Sequence, residues 1–204
     1  MHPRVLMALV LAAVLALGAL VLVAGRGGEE AAGEDPLTAA TGFAGSVLPD
    51  GVRAPDFALP NQDGETVRMR DFRGGPVIVT FLYTTCDETC PAQAQQIKGA
   101  LDQLGHDVPA LAIAVDPEND TAERARAFLS EQRMSGRMDF VVGSEAELRP
   151  LWNAYAIQPQ LPGAEHQARI VLVDGDGLQR VAFPLEQATP ERIAHDVRAL
   201  ETAG

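Results

Sequence analysis

The chain has 204 residues, 47% of them hydrophobic and 22% charged, with a formal net charge of -12 at pH 7. Beyond any targeting segment this suffices for one domain with a proper core. The acidity argues against nucleic acid and anionic lipid as partners and suits a cationic one. Cys86 and Cys90 are the only cysteines, and a structural disulfide between them would close so tight a loop that it would constrain the unfolded chain little.

Val5 to Ala24 is an unbroken run of Val, Leu, Ala, Met and Gly between Arg4 and Arg26. As a helix it rises about 30 Å, the thickness of a bilayer's hydrocarbon core. Signal-peptide apolar regions usually hold only about 7 to 15 residues, so a retained transmembrane anchor is expected rather than a cleaved signal. No cysteine ends the run, which argues against a lipoprotein. Arg4 precedes the span, while Glu29, Glu30, Glu34 and Asp35 follow it. The positive-inside rule then keeps the amino terminus in the cytoplasm and places everything from Gly25 onward in the periplasm or its equivalent. The expected organisation is a cytoplasmic tip and anchor over 1–24, a flexible tether over 25–46 and one folded domain over 47–204. The tether is rich in Gly, Ala and Glu, and a coil of its length spans roughly 25 to 30 Å.

Within the domain, Asn61-Gln62-Asp63-Gly64 lies between Phe57-Ala58-Leu59 and Val67-Arg68-Met69, which predicts a hairpin. Val77 to Tyr83 and Ala110 to Val115 predict strands buried on both faces. Between them Ala94, Ile97, Leu101 and Leu104 recur at helical spacing, completing a β-α-β unit. Asp120 with Glu123 predicts a capping box for a helix that buries Ala125, Phe128 and Leu129, and Phe140-Val141-Val142 predicts a short strand. Ser144 with Glu147 predicts a second box, whose helix presents Leu148, Leu151, Trp152 and Tyr155 and has Pro150 as a site for a kink. Ile170 to Val173 and Val181 to Phe183 flank the turn sequence Asp174-Gly175-Asp176-Gly177. Thr189 caps a last helix that starts at Pro190 and buries Ile193, Val197 and Leu200. The element order predicts an α/β domain: a thioredoxin-like fold with a central mixed sheet flanked by helices and an added N-terminal β-hairpin, preceded by one transmembrane helix.

The chemistry-bearing segment is Thr85-Cys86-Asp87-Glu88-Thr89-Cys90-Pro91, where the first buried strand gives way to a helix. Both sulfurs then lie on one helical turn near backbone N–H groups that lower thiol pKa values. Such a pair can cycle between dithiol and disulfide or grip a thiophilic ion such as Cu(I). In an oxidising compartment it needs a reductant or a bound metal to stay out of the disulfide state. His106 and His195 read as solvated surface, and His2 as cytoplasmic. Met134 and Met138 read as turn or core rather than thioether ligands. Asp116 reads as a strand end, Asp120 as a helix cap, and Trp152 and Tyr155 as core.

From Ala54 to Leu200 the chain resembles the Sco/SenC family of membrane-anchored, thioredoxin-like copper proteins. The matching residues are Ala54-Pro55-Asp56-Phe57, Asp71-Phe72-Arg73-Gly74, Phe81-Leu82-Tyr83-Thr84-Thr85-Cys86 with Cys90-Pro91, Val115-Asp116-Pro117-Glu118-Asn119-Asp120-Thr121, and His166 ahead of Leu172-Val173-Asp174. The first two segments occur across many thioredoxin-like proteins. The C-x3-C-P motif, the V-D-P-x-x-D-T segment and the downstream histidine together are far more specific. The resemblance implies that Cys86, Cys90 and His166 ligate copper, and two thiolates with one imidazole suit trigonal Cu(I), with Cu(II) left open. Three positions depart from the family's usual pattern. Glu165 and Gln167 flank the histidine in place of Asp and a small hydroxyl residue, and Asp87 replaces the proline common after the first cysteine.

The resemblance further implies a metallochaperone rather than an enzyme, held in a bacterial inner membrane by a single pass. Its expected client is the copper-bearing subunit of cytochrome c oxidase, with a copper donor and a thiol reductant as further partners. The alternative is a periplasmic thiol-disulfide oxidoreductase that keeps the oxidase's copper-site cysteines reduced, with Cys86 and Cys90 as its catalytic pair. His166 separates the two, because a dithiol reductase needs no soft third ligand. A peroxidase is disfavoured, since Val79 and Tyr83 stand where the P-x3-T-x2-C setting of peroxiredoxins requires Pro and Thr.

Overall fold

The structure is a computed structural model and describes residues 36–160 and 168–203. The expected anchor, Val5 to Ala24, and the expected ligand His166 lie outside the described residues. No helix among the described residues is long and apolar enough to cross a membrane.

The described elements are α1 (Pro36–Thr41), β1 (Ser46–Val47), β2 (Ala58–Pro60), β3 (Thr66–Arg68), β4 (Val77–Leu82), α2 (Thr89–Leu104), β5 (Ala110–Ala114), α3 (Ala122–Glu131), β6 (Asp139–Val141), α4 (Glu145–Ala154), β7 (Arg169–Val173), β8 (Gln179–Pro184) and α5 (Pro190–Ala203). Short 3-10 turns cover Met69–Phe72 and Leu185–Gln187. Six strands form one sheet in the order β1-β8-β7-β4-β5-β6. β4, β5 and β6 run parallel, whereas β7, β8 and β1 add antiparallel pairings. The sheet is therefore mixed, as expected for a thioredoxin-like domain. The added hairpin is β2 with β3, in the register Ala58↔Arg68 and Pro60↔Thr66. The Asn61 side chain closes its turn by accepting from the Asp63 and Glu65 N–H groups, each at 2.9 Å.

β4 and β5 are buried at every residue, which explains why both read as continuous apolar runs rather than alternating ones. Full burial of each large side chain there stabilises the fold by about 1.5–3 kcal/mol. α2 and α5 pack closely, and a Cβ at Gly99 would come within 2.7 Å of Pro190 Cγ, so the contact requires glycine. Trp152 Nε1 donates to the Ala114 carbonyl at 2.8 Å and pins α4 to the end of β5. Met134, Met138, Trp152 and Tyr155 are buried in the core, and the Tyr155 ring packs on Phe81 with centroids 5.2 Å apart.

Two expectations are corrected. Thr121, not Asp120, caps α3: its hydroxyl accepts from the Arg124 N–H at 3.2 Å, and the Asp120 carboxylate is drawn elsewhere. The second box does form, with Glu147 accepting from the Ser144 N–H at 2.8 Å. The expected tether also yields its C-terminal part to the fold. Residues 36–46 hold α1 and the first residue of β1, and the Ala44 and Gly45 N–H groups donate to the buried Asp196 carboxylate at 2.7 and 2.8 Å. No local periodicity announces this attachment, because its partner lies on α5 at the far end of the chain.

Candidate functional site

β4 ends at Leu82 and α2 begins at Thr89, so the loop 83–88 carries Cys86 while Cys90 sits in the first turn of the helix. Both thiols are free and buried, Cys90 completely and Cys86 with 9% exposure. The Cys90 backbone N–H donates to Cys86 Sγ at 3.2 Å, and Thr89 Oγ1 lies 3.1 Å from the same sulfur. The Cys90 thiol also faces Cys86, and this hydrogen bond does most to pull the Cys86 thiol down to about 4. Contacts from Thr89, the Cys90 N–H and the Tyr83 hydroxyl add to the effect, against the opposing effect of burial. Donation to Cys86 and burial push the Cys90 thiol well above its ordinary value.

Helix-start N–H groups were expected to lower both thiols, but the structure separates them. Two thiols in hydrogen-bond contact share a proton, and ionisation goes to the sulfur on which the other donors converge. Cys86 is thus a thiolate at neutral pH and Cys90 its protonated neighbour. Iodoacetamide is expected to label Cys86 well before Cys90, with a rate that falls only as pH drops through about 4, as mass spectrometry of the reduced protein would show. A profile centred near the ordinary thiol value of about 8.5 would contradict this assignment.

Asp120 braces the loop ahead of Cys86. Its carboxylate accepts from the Thr84 N–H at 2.7 Å and the Asp116 N–H at 2.9 Å, tying the cysteine loop to the turn that follows β5. Burial raises its pKa to about 6, outweighing the hydrogen bonds that favour the carboxylate. Folded protein therefore binds more protons than unfolded protein between the ordinary aspartate value of 3.8 and about 6. The contribution of this group to stability is complete below that window and is lost as pH rises through about 6. The Thr84 and Asp116 amide resonances should titrate with a midpoint near 6, and Asp120→Asn should abolish that transition.

The other expected residues lie apart. His106 follows the C-terminal end of α2, opposite the cysteines, and is paired with Glu201 at 2.7 Å. His195 is half-exposed and bonded to Asp196 at 2.8 Å. Asp116 accepts from Asn119 Nδ2 at 2.8 Å. Among the described residues no group of three or more His, Cys, Asp or Glu side chains could hold a metal ion. The described part of the site is thus the two-sulfur pair of Cys86 and Cys90. Thr89 and Tyr83, which shape the Cys86 sulfur, were not singled out from sequence. Thr89 could have been, because it stands three residues after Cys86 and beside Cys90.

The family profile described as SCO1/SenC matches residues 49–202. Over 162 residues the chain is 31% identical to protein SenC of Rhodobacter capsulatus, covering 72% of each chain. It spans only 31% and 40% of the mitochondrial SCO1 homologues it matches in Arabidopsis thaliana and Homo sapiens. The solved structure of Bradyrhizobium japonicum ScoI with copper bound aligns with a TM-score of 0.62 at 30% identity, over 72% of this chain and 99% of that one. BsSco, a Sco-family cytochrome c oxidase assembly protein with a disulfide switch, aligns with a TM-score of 0.67 at 26% identity, over 77% and 98%. A stretch of 127 residues is also 39% identical to peroxiredoxin Bcp of Escherichia coli, over 61% of this chain and 78% of Bcp. Val79 and Tyr83 nevertheless occupy the positions at which peroxiredoxin chemistry requires Pro and Thr.

Proposed function

Starting from a chain that belongs to the SCO1/SenC family, we propose that it is a metallochaperone that carries copper to the copper-bearing subunit of a cytochrome c oxidase. The observation that carries this reading is the pair of free thiols on one turn, with the Cys90 backbone N–H and the Thr89 hydroxyl converging on the Cys86 sulfur. Cys86 and Cys90 supply two thiolates and His166 an imidazole, a donor set matched to Cu(I). The Cys90 proton leaves when the ion binds.

Support for the third ligand comes from the two ends of its segment. The Gln160 N–H donates to the Val115 carbonyl at 2.9 Å, at the strand end that leads into Asp116. At the other end the Arg169 carbonyl accepts from Gln93 on the cysteine helix at 2.7 Å. His166 is three residues from Arg169, a reach of at most about 11 Å. The copper carried by ScoI agrees with this reading. Anchorage through 1–24, a tether and a periplasmic domain complete it, and the amino terminus of the mature chain, found by mass spectrometry, tests the anchor.

A thiol-disulfide oxidoreductase is the second reading, favoured by the same thiol asymmetry: one thiolate to attack, one protonated thiol to resolve. The disulfide switch of BsSco is in keeping with it. His166→Ala distinguishes the two. A chaperone so altered is expected to lose Cu(I) affinity, show an altered X-ray absorption spectrum and fail to support oxidase activity in low copper. A reductase would continue to work. Unchanged metal coordination in the variant would remove His166 from the site.

A further inference from the structure

We propose that the Thr89 hydroxyl sets how strongly the Cys86 sulfur donates electrons, so that the thiol pair resists closing into a disulfide and holds copper loosely enough to hand it on. The inference rests on the copper reading above and concerns how that site keeps itself ready and releases its cargo.

Thr89 is the first residue of α2, three positions after Cys86 and directly before Cys90. Its Oγ1 atom lies 3.1 Å from Cys86 Sγ, within reach of a hydrogen bond to sulfur. In the two states that the site's chemistry uses, a nucleophilic thiolate and a copper-bound sulfur, Cys86 carries no proton. The hydroxyl is then the donor. The Cys90 N–H donates to the same sulfur at 3.2 Å. That backbone donor comes with the helix start whatever the side chain before it, whereas the hydroxyl depends on residue 89.

The fold itself does not require this oxygen. Side-chain oxygens that satisfy the free N–H groups of a first turn sit at the N-cap position. That position is held by Glu88, whose side chain makes no capping bond, and Thr89 stands one residue further in. Burial does not require the contact either. Thr89 is half-buried and borders a surface groove with Ser46 and Glu186, where water can serve its hydroxyl. A valine has the same shape and would fill the same space. What the oxygen adds is a donor aimed at one sulfur.

A hydrogen bond draws charge from a thiolate, which leaves a weaker nucleophile and a weaker metal donor. Hydrogen bonding around a cysteine sulfur is a recognised lever on copper sites. The same bond favours the dithiol over the disulfide, because a disulfide sulfur has no charge to offer a donor. Both effects suit a carrier that must stay reduced in an oxidising compartment and then let its ion go.

The test compares Thr89→Val, which removes the oxygen at constant shape, and Thr89→Ser, which keeps it, with the unaltered full chain. Measurement at about pH 9.5, above the ordinary thiol value, prevents protonation from masking the loss of the bond. In dithiothreitol redox buffers without copper, two electrons move as the Cys86–Cys90 bond closes and the dithiothreitol disulfide opens. Thr89→Val is expected to shift this equilibrium about tenfold toward the protein disulfide, a potential about 30 mV more negative. Competition titration should show Cu(I) held about tenfold more tightly, with slower release to a chelator. Thr89→Ser should restore both values. A merely structural role would lower stability without moving the potential. An unchanged potential, an unchanged or weaker hold on Cu(I) in Thr89→Val, or Thr89→Ser behaving like Thr89→Val would overturn the inference. Failure of the unaltered chain to bind Cu(I) would overturn the copper reading and the release role with it. An unchanged potential in a chain that does bind Cu(I) removes the Thr89 inference alone, so the two failures are distinct.

Discussion

Cys86→Ser and Cys90→Ser are each expected to abolish tight Cu(I) binding while leaving the domain folded. Cu(I) is soft and its affinity in such a site comes from thiolate sulfur, whereas a serine hydroxyl is a hard donor that stays protonated at neutral pH. One thiolate with one imidazole leaves the ion short of the pair that defines the site. Without copper the two substitutions should differ. Cys90→Ser leaves the Cys86 sulfur with its Thr89 and backbone donors, so a reactive thiolate persists. Cys86→Ser leaves a buried thiol with no thiolate beside it. Competition against a chelator of known affinity, with circular dichroism to confirm the fold, measures the effect. A serine variant that holds Cu(I) as tightly as the unaltered protein would place the site elsewhere.

The largest expected loss of stability from a polar position is at Asp196. Its completely buried carboxylate accepts from the Ala44 and Gly45 N–H groups and contacts His195 Nδ1. Asp196→Ala leaves two backbone donors buried without an acceptor and detaches β1 from its anchor, at a cost of about 3 kcal/mol. Asp196→Asn retains one acceptor and should lose roughly half as much. Gly45 makes the contact possible, because a Cβ there would fall 2.5 Å from Val181 Cγ1. Urea unfolding gives the magnitude, and faster proteolysis within 36–46 gives the location. A change under about 1 kcal/mol would mean that the segment is held by other contacts.

These two predictions draw on different information. The cysteine pair was legible because its chemistry is local: two thiols four residues apart at the end of an apolar run have few uses. β4 and β5 were legible for a similar reason, since burial on both faces leaves an uninterrupted apolar signature. The capping box at Ser144 was equally plain, because cap and partner are three residues apart. His166 was singled out through family resemblance, with no support from the local pattern around it.

Asp120 shows where such reasoning stops. By spacing it is a helix cap, yet its carboxylate serves Thr84, 36 residues away, and Thr121 caps instead. The thiols show the same limit, since their shared position at a helix start predicted a common shift and their mutual contact produced opposite ones. Sequence by itself determined what is written in near neighbours: strand and helix periods, turns, the thiol pair and the family motifs. Tertiary structure alone decided the strand order, the attachment of residues 36–46 to Asp196, the proton shared between the sulfurs and the bond from Gln93 to Arg169. Each of these depends on a partner or a packing environment that the local sequence pattern does not specify. A buried polar group takes whichever donor or acceptor the folded chain brings to it.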